Sequence, residues 1–105
     1  MSAFYEEVWA LARTIPAGFV MSYGQIARRL GRPKAARAVG GAMHAAPGDV
    51  PCQRVVRSDG GLSDAFQPLG RESHRVRLMM EGVKTGENGR VDLKRYGWKA
   101  EEVDL

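Results

Sequence analysis

The 105-residue chain holds a single cysteine, Cys52, so no internal disulfide can form, and nothing in the composition points to an oxidising compartment. Its two histidines, His44 and His74, stand apart, which leaves no Cys/His cluster with metal-ligand spacing. No apolar run approaches the roughly 18 residues that a membrane span needs. The opening MSAFYEEVWA does not read as a signal peptide. Internal repeats and low-complexity segments are missing too. These absences give a set of expectations: a folded, monomeric protein of the cytoplasm or nucleoid, with no metal, no other cofactor and no membrane partner. The length fits one domain with a real but modest core.

Acidic residues are scarce in one place. Between Val20 and Arg57 stand seven basic residues, Arg28, Arg29, Arg32, Lys34, Arg37, Arg54 and Arg57, against one acid, Asp49. The whole chain carries +4, so the middle holds +6 and the remainder −2. A basic middle between near-neutral ends fits a polyanion-binding face, and equally a solvated basic surface.

The periodicity predicts mostly helix. Phe4, Val8, Leu11 and Ile15 recur at helical spacing in AFYEEVWALART, with Ser2 in N-cap position. PAG at 16–18 stops this helix. SYGQIARRLG begins with Ser22 and carries Gln25 three residues on, the capping-box pattern, and Gly31 ends it. A third helix is predicted from Pro33, in its first turn, to about His44. Two short helices joined by a tight glycine-containing turn form a helix-turn-helix candidate. The third helix is slender, with Ala35, Ala36, Ala38, Gly40, Gly41 and Ala42. Glycine in a helix interior costs about 1 kcal/mol relative to alanine, so something must approach closely. A packed neighbouring helix and a narrow groove both meet that requirement.

Residues 61–70 read as a loop and Arg71–Glu81 as a helix, with Val76, Met79 and Met80 as its buried residues and Gly82 as its cap. Asn88-Gly89 between two short alternating runs predicts a β-hairpin. Attached to a helix-turn-helix, this hairpin is a wing, with Lys84, Arg90, Lys94 and Arg95 as basic residues. Trp98 is expected to close the core. The fold class is therefore mainly α with a small β-hairpin: a winged helix-turn-helix.

The stretch DVPCQRVVRSDG, residues 49–60, holds the lone thiol between Pro51 and a Gln-Arg pair. Three motifs, SYG with its helix, ARAVGGAM and PCxRVV, resemble the DNA-binding domain of the methylated-DNA–protein-cysteine methyltransferases. The resemblance covers Phe4 to Trp98. The family's usual amino-terminal domain has no counterpart in these residues, and Gln53 and the tail GRVDLKRYGW look more like the subgroup called alkyltransferase-like proteins.

The resemblance implies a third helix that enters the DNA minor groove, with contacts from Ser22, Tyr23, Lys34, Ala35, Ala36, Arg37, Ala38 and Gly40. Arg37 matches the arginine that fills the gap left by a flipped nucleotide, and Tyr23 the tyrosine that presses on the phosphate. The minor groove is only about 6 Å wide, which suits a slender helix. The flipped base is expected beside Cys52, in a pocket walled by Val50, Pro51, Arg54 and the loop at 61–69. The implied partner is duplex DNA carrying O6-alkylguanine, with hand-off to nucleotide excision repair proteins.

Alkyl transfer requires a thiolate, and only about 3% of a free cysteine is ionised at pH 7. The family assists with a histidine directly after the cysteine, backed by a glutamate. Here PCHR reads PCQR. Gln53 can hold a water but cannot take its proton, and Glu81, which matches the glutamate, lacks its histidine partner. The family's Tyr-Ser-Gly stretch is replaced by SDAFQPLG, and its asparagine after the third helix by Ala46. The alkyltransferase-like subgroup, in turn, usually has tryptophan or alanine where this chain has Cys52. Two readings of Cys52 stand: an inert residue lining the pocket, in a protein that recognises the lesion without efficient transfer, or the acceptor of a suicidal alkyltransferase. A winged-helix transcription factor without lesion preference is a third reading, which the cysteine-centred motif argues against.

Overall fold

The computed structural model describes residues 3–99. The expected cap at Ser2 lies outside the described residues.

Helix α1 spans Ala3–Thr14 and turns Phe4, Val8, Trp9 and Ala12 inward. Ile15 is buried just beyond its end, while Leu11 only borders the core. Strand β1 is the pair Met21–Ser22, followed directly by α2, Tyr23–Arg29. Ser22 caps α2: its Oγ accepts from the backbone N–H of Gln25 at 3.0 Å. Only this half of the capping box forms. The Gln25 side chain reaches instead to the carbonyl of Trp98, at 2.6 Å, and pins the end of the described chain.

Gly31, at φ +77°, makes the left-handed turn after α2. Helix α3 spans Ala36–His44. It begins three residues after Pro33, not around it, because a turn closed by Ala35 N–H on the Arg32 carbonyl intervenes. Helix α3 packs on both α1 and α2. Trp9 fixes the first contact by donating from Nε1 to the Ala42 carbonyl at 2.7 Å.

After a 3₁₀ turn over Cys52–Arg54 comes β2, Val55–Val56. It pairs in parallel with β1, Met21 opposite Val55 and Ser22 opposite Val56. Both strands are buried, as short parallel strands tend to be. This pairing, invisible in the periodicity, joins two core clusters: one among α1, α2 and α3, the other around Val20, Val56, Leu62, Leu78, Val83 and Val91.

Helix α4 spans Arg71–Met79 and ends in a left-handed Gly82, with Val83 N–H bonded to the Leu78 carbonyl. Its buried residues are His74 and Leu78, four positions apart. The expected trio lies on the other face: Val76 is 36% exposed, Met79 48% and Met80 81%. The predicted hairpin is reduced to one antiparallel bridge, Thr85 to Val91, around the Asn88-Gly89 turn. Its outgoing arm becomes α5, Leu93–Tyr96, because Asp92 caps it by accepting from Lys94 N–H. A parallel bridge from Val20 to Gly97 then leads to Trp98, which packs on the first core cluster. The mainly helical, helix-turn-helix architecture stands, with a rudimentary wing.

Ser22→Ala removes the cap of a short helix. It is expected to lower stability by about 1 kcal/mol in urea denaturation; an unchanged midpoint would remove the capping role.

Candidate nucleic-acid interface

Of the seven basic residues in the middle of the chain, five are exposed along α2, in the turn after it and at the start of α3: Arg28, Arg29, Arg32, Lys34 and Arg37. Arg32 also lies over the Phe4 ring, 5.2 Å from its centroid. Arg57 faces Asp64 at 3.8 Å, and Arg54 is held inside by Glu81. The one acid of the segment, Asp49, pairs with Arg13 of α1 at 2.8 Å. The exposed α2–α3 surface is therefore left basic.

Arg37 and Ala38 are exposed in the first turn of α3, with Ala35 and Ala36 half-buried beside them. The two glycines of this helix answer different needs. A Cβ on Gly41 would stand 2.6 Å from the Tyr5 hydroxyl, so close packing on α1 explains it. A Cβ on Gly40 would meet only Tyr23, at an ordinary 3.7 Å. Internal packing does not require Gly40, which lines a cavity.

That cavity measures about 200 Å³, and its lining includes Tyr23, Gly40, Met43, Cys52, Phe66 and His74. Ser63, Ala65 and Gln67 of the loop complete one wall. A second, more open cavity of about 360 Å³ shares Cys52, Phe66 and Gln67 with the first and extends past Pro47 and Val50 to Arg77. Cys52 thus borders both. A larger concavity, about 710 Å³, lies at the wing between Ser58 and Lys94 and contains no residue of α2 or α3.

Several residues expected at these sites are placed differently. Ser22 is buried, and its hydroxyl accepts the cap bond of α2. Val50 lines the second cavity but not the first, and Pro51 and Arg54 line neither. Arg54 points away into an internal clamp. Its guanidinium donates to Glu81 at 2.7 Å and to the Ile15 carbonyl at 2.8 Å. Tyr23 stands at the pocket wall, where burial raises its hydroxyl pKa against a smaller opposing effect of the hydrogen bond with the Ser63 side chain.

Two residues of the pocket escape the sequence reading. His74 is fully buried. Its Nδ1 accepts from Ser63 N–H at 3.0 Å, which leaves Nε2–H to donate to the Gln53 carbonyl at 2.9 Å. Burial lowers its pKa, so the ring is neutral at pH 7. Phe66 stacks on it with centroids 4.6 Å apart. The four-residue spacing from His74 to Leu78 was the available signal for His74; the sequence carries no comparable signal for Phe66.

The environment of Cys52 disfavours a thiolate. Burial pushes its pKa up, against a smaller opposing pull from the Arg77 charge. Its Sγ lies 3.6 Å from the Met43 carbonyl, the position of a weak thiol donor. Gln53 Nε2 donates to Glu81 at 3.1 Å. The Glu81 carboxylate, which also receives Arg54, is held below its usual pKa, chiefly by that arginine. Neither group is arranged as a base for the thiol.

Residues 3–83 match the family model for the 6-O-methylguanine DNA methyltransferase, DNA binding domain. The chain belongs to this family. Among its relatives, the DNA base-flipping protein of Escherichia coli K12 is 39% identical over 98 residues, 91% of this chain and 74% of that protein. The methylated-DNA–protein-cysteine methyltransferase of Rattus norvegicus is 42% identical over 92 residues, 86% of this chain but 44% of the enzyme. Atl1 of S. pombe, solved in complex with damaged DNA containing O6-carboxymethylguanine, shares the fold with a TM-score of 0.80 at 36% identity, covering 94% of this chain and 97% of Atl1. The O6-methylguanine methyltransferase of Mycobacterium tuberculosis gives a TM-score of 0.69 at 36% identity, covering 90% of this chain and 55% of the enzyme.

Burial of the thiol predicts slow labelling by iodoacetamide at pH 7. The rate is expected to rise with a midpoint above the value of about 8.5 for a free cysteine. A midpoint near neutrality would mean an activated nucleophile.

Proposed function

We propose that this protein binds duplex DNA through α2 and α3, turns an O6-alkylated guanine into the cavity beside Cys52, and holds it there without efficient alkyl transfer. In this reading Arg37 enters the base stack from the first turn of α3, and Tyr23 presses on the phosphate of the displaced nucleotide. Flipping costs a few kcal/mol of stacking, least at a damaged pair; the inserted arginine and backbone contacts offset it. The base then rests between Met43 of α3 and the loop carrying Phe66. As the resemblance implies, the complex is handed on to nucleotide excision repair.

The observation that carries this reading is the pairing of an accessible pocket with an unassisted thiol. Gly40 and Met43 of α3 line the cavity. Its cysteine is raised in pKa, and the neighbouring Gln53 is a hydrogen-bond donor to Glu81. Those features suit holding a base more than attacking one.

One observation favours a second reading, single-turnover transfer to Cys52: the residue borders the cavity itself. In that reaction Sγ would bond to the alkyl carbon, the carbon–O6 bond would break, and guanine would leave with the electron pair and take up a proton.

Fluorescence anisotropy with matched duplexes tests lesion recognition. O6-methylguanine duplex is expected to bind about tenfold more tightly than guanine duplex, a difference of about 1.4 kcal/mol. Arg37→Ala should weaken lesion binding more than plain-duplex binding. Equal affinity for both duplexes would remove lesion recognition, and equal losses in the variant would reduce Arg37 to a phosphate contact.

A further inference from the structure

We infer that the second cavity receives the O6 substituent of the flipped base and that Arg77 makes it select substituents ending in a carboxylate. This rests on the placement of the base proposed above.

The two cavities meet at Cys52, Phe66 and Gln67. A base in the first with its O6 edge toward Cys52 directs any substituent longer than a methyl group into the second. That cavity is the roomier one, about 360 Å³ against 200 Å³. Apart from the shared residues and Arg77, it is lined by Ala46, Pro47, Gly48, Val50 and Gln53. The first four are small or apolar groups that accommodate a carbon chain without specifying it, and the Gln53 amide is neutral and bonded to Glu81.

The charge comes from Arg77. Its guanidinium lies over the Phe66 ring, 5.5 Å from the centroid, and Phe66 in turn stacks on buried His74. This stack holds a long, otherwise mobile side chain at the cavity wall. Among the described residues no carboxylate lies within ion-pair distance of Arg77, whereas neighbouring Arg71 and Arg75 are taken by Asp64 and Glu72. The Arg77 charge is felt at Cys52, where it lowers the thiol pKa against the larger effect of burial. Arg77 thus presents an uncommitted cation to the cavity, and a guanidinium fits the planar geometry of a carboxylate. A neutral substituent of the same shape gains no such contact.

The test compares duplexes with O6-carboxymethylguanine, its neutral carboxamide counterpart O6-carbamoylmethylguanine, O6-methylguanine and guanine. Wild type is expected to favour the carboxymethyl over the carbamoylmethyl lesion by about fivefold to tenfold. Arg77→Ala should collapse that ratio to within about twofold, and Arg77→Lys should retain part of it. Because each ratio is taken within one variant, general loss of DNA affinity cancels. A wild-type ratio of one, or a ratio unchanged in Arg77→Ala, overturns the inference. If O6-methylguanine is still preferred over guanine in that case, the pocket reading survives and only the selectivity fails. If no lesion is preferred, both fall.

Discussion

The Arg54–Glu81 contact is the constraint on which the site depends. Arg54 leaves the 3₁₀ turn that carries Cys52 and spans to Glu81 beyond α4 and to the Ile15 carbonyl beyond α1. Two separate stretches of chain are thereby tied to the turn behind the pocket. The two side chains are 20% and 16% exposed, so the pair is partly desolvated and its geometry is bidentate. Pairs of this kind tolerate loss of one partner poorly, because the other is left charged and uncompensated. The clamp also decides the chemistry. It keeps Glu81 ionised and occupied, and Glu81 in turn holds the Gln53 amide. No residue of the turn is left to draw a proton from Cys52.

A second set of contacts shapes the space in front of the turn. His74 reaches the Gln53 carbonyl from one nitrogen and the loop at Ser63 from the other. Phe66 and Arg77 are stacked on it in sequence. A neutral, buried imidazole therefore joins α4, the cysteine turn and the loop that walls the base cavity. The same histidine offers no base to the thiol, because both its nitrogens are engaged. The pocket is thus supported on one side by an ion pair and on the other by an aromatic stack, with Gly40 and Met43 of α3 lining it.

Much of the frame was legible in residues whose local chemistry acts alone. Ser22 and Gln25 announce a helix start, Gly31 a turn, and Gly82 a stop, because capping and left-handed conformation are short-range effects. What misled was every feature decided by tertiary pairing. Val76, Met79 and Met80 are apolar but sit outward, since the face containing His74 and Leu78 meets the core. The wing's second arm looked like a strand, yet the Asp92 cap diverts it into a helical turn. The parallel pairing of Met21–Ser22 with Val55–Val56 spans a sequence separation no periodicity reports. At the site, the motif pointed to Cys52 at the pocket and to Tyr23 and Gly40 as DNA contacts, and the fold brings all three to one cavity; Arg54, expected at the pocket, and Ser22, expected at DNA, have side chains bonded within the scaffold. Charge and polarity do not reveal which arginine faces solvent and which has a buried carboxylate waiting.

The central claim is that a base-sized pocket is built beside a thiol kept neutral. Intact-mass measurement after incubation with duplex DNA containing O6-methylguanine tests it most directly. At concentrations where the duplex is bound, the protein mass is predicted to stay unchanged over the time that a reactive thiolate would need to be consumed. Stoichiometric gain of one methyl group, mapped to Cys52, would contradict the account.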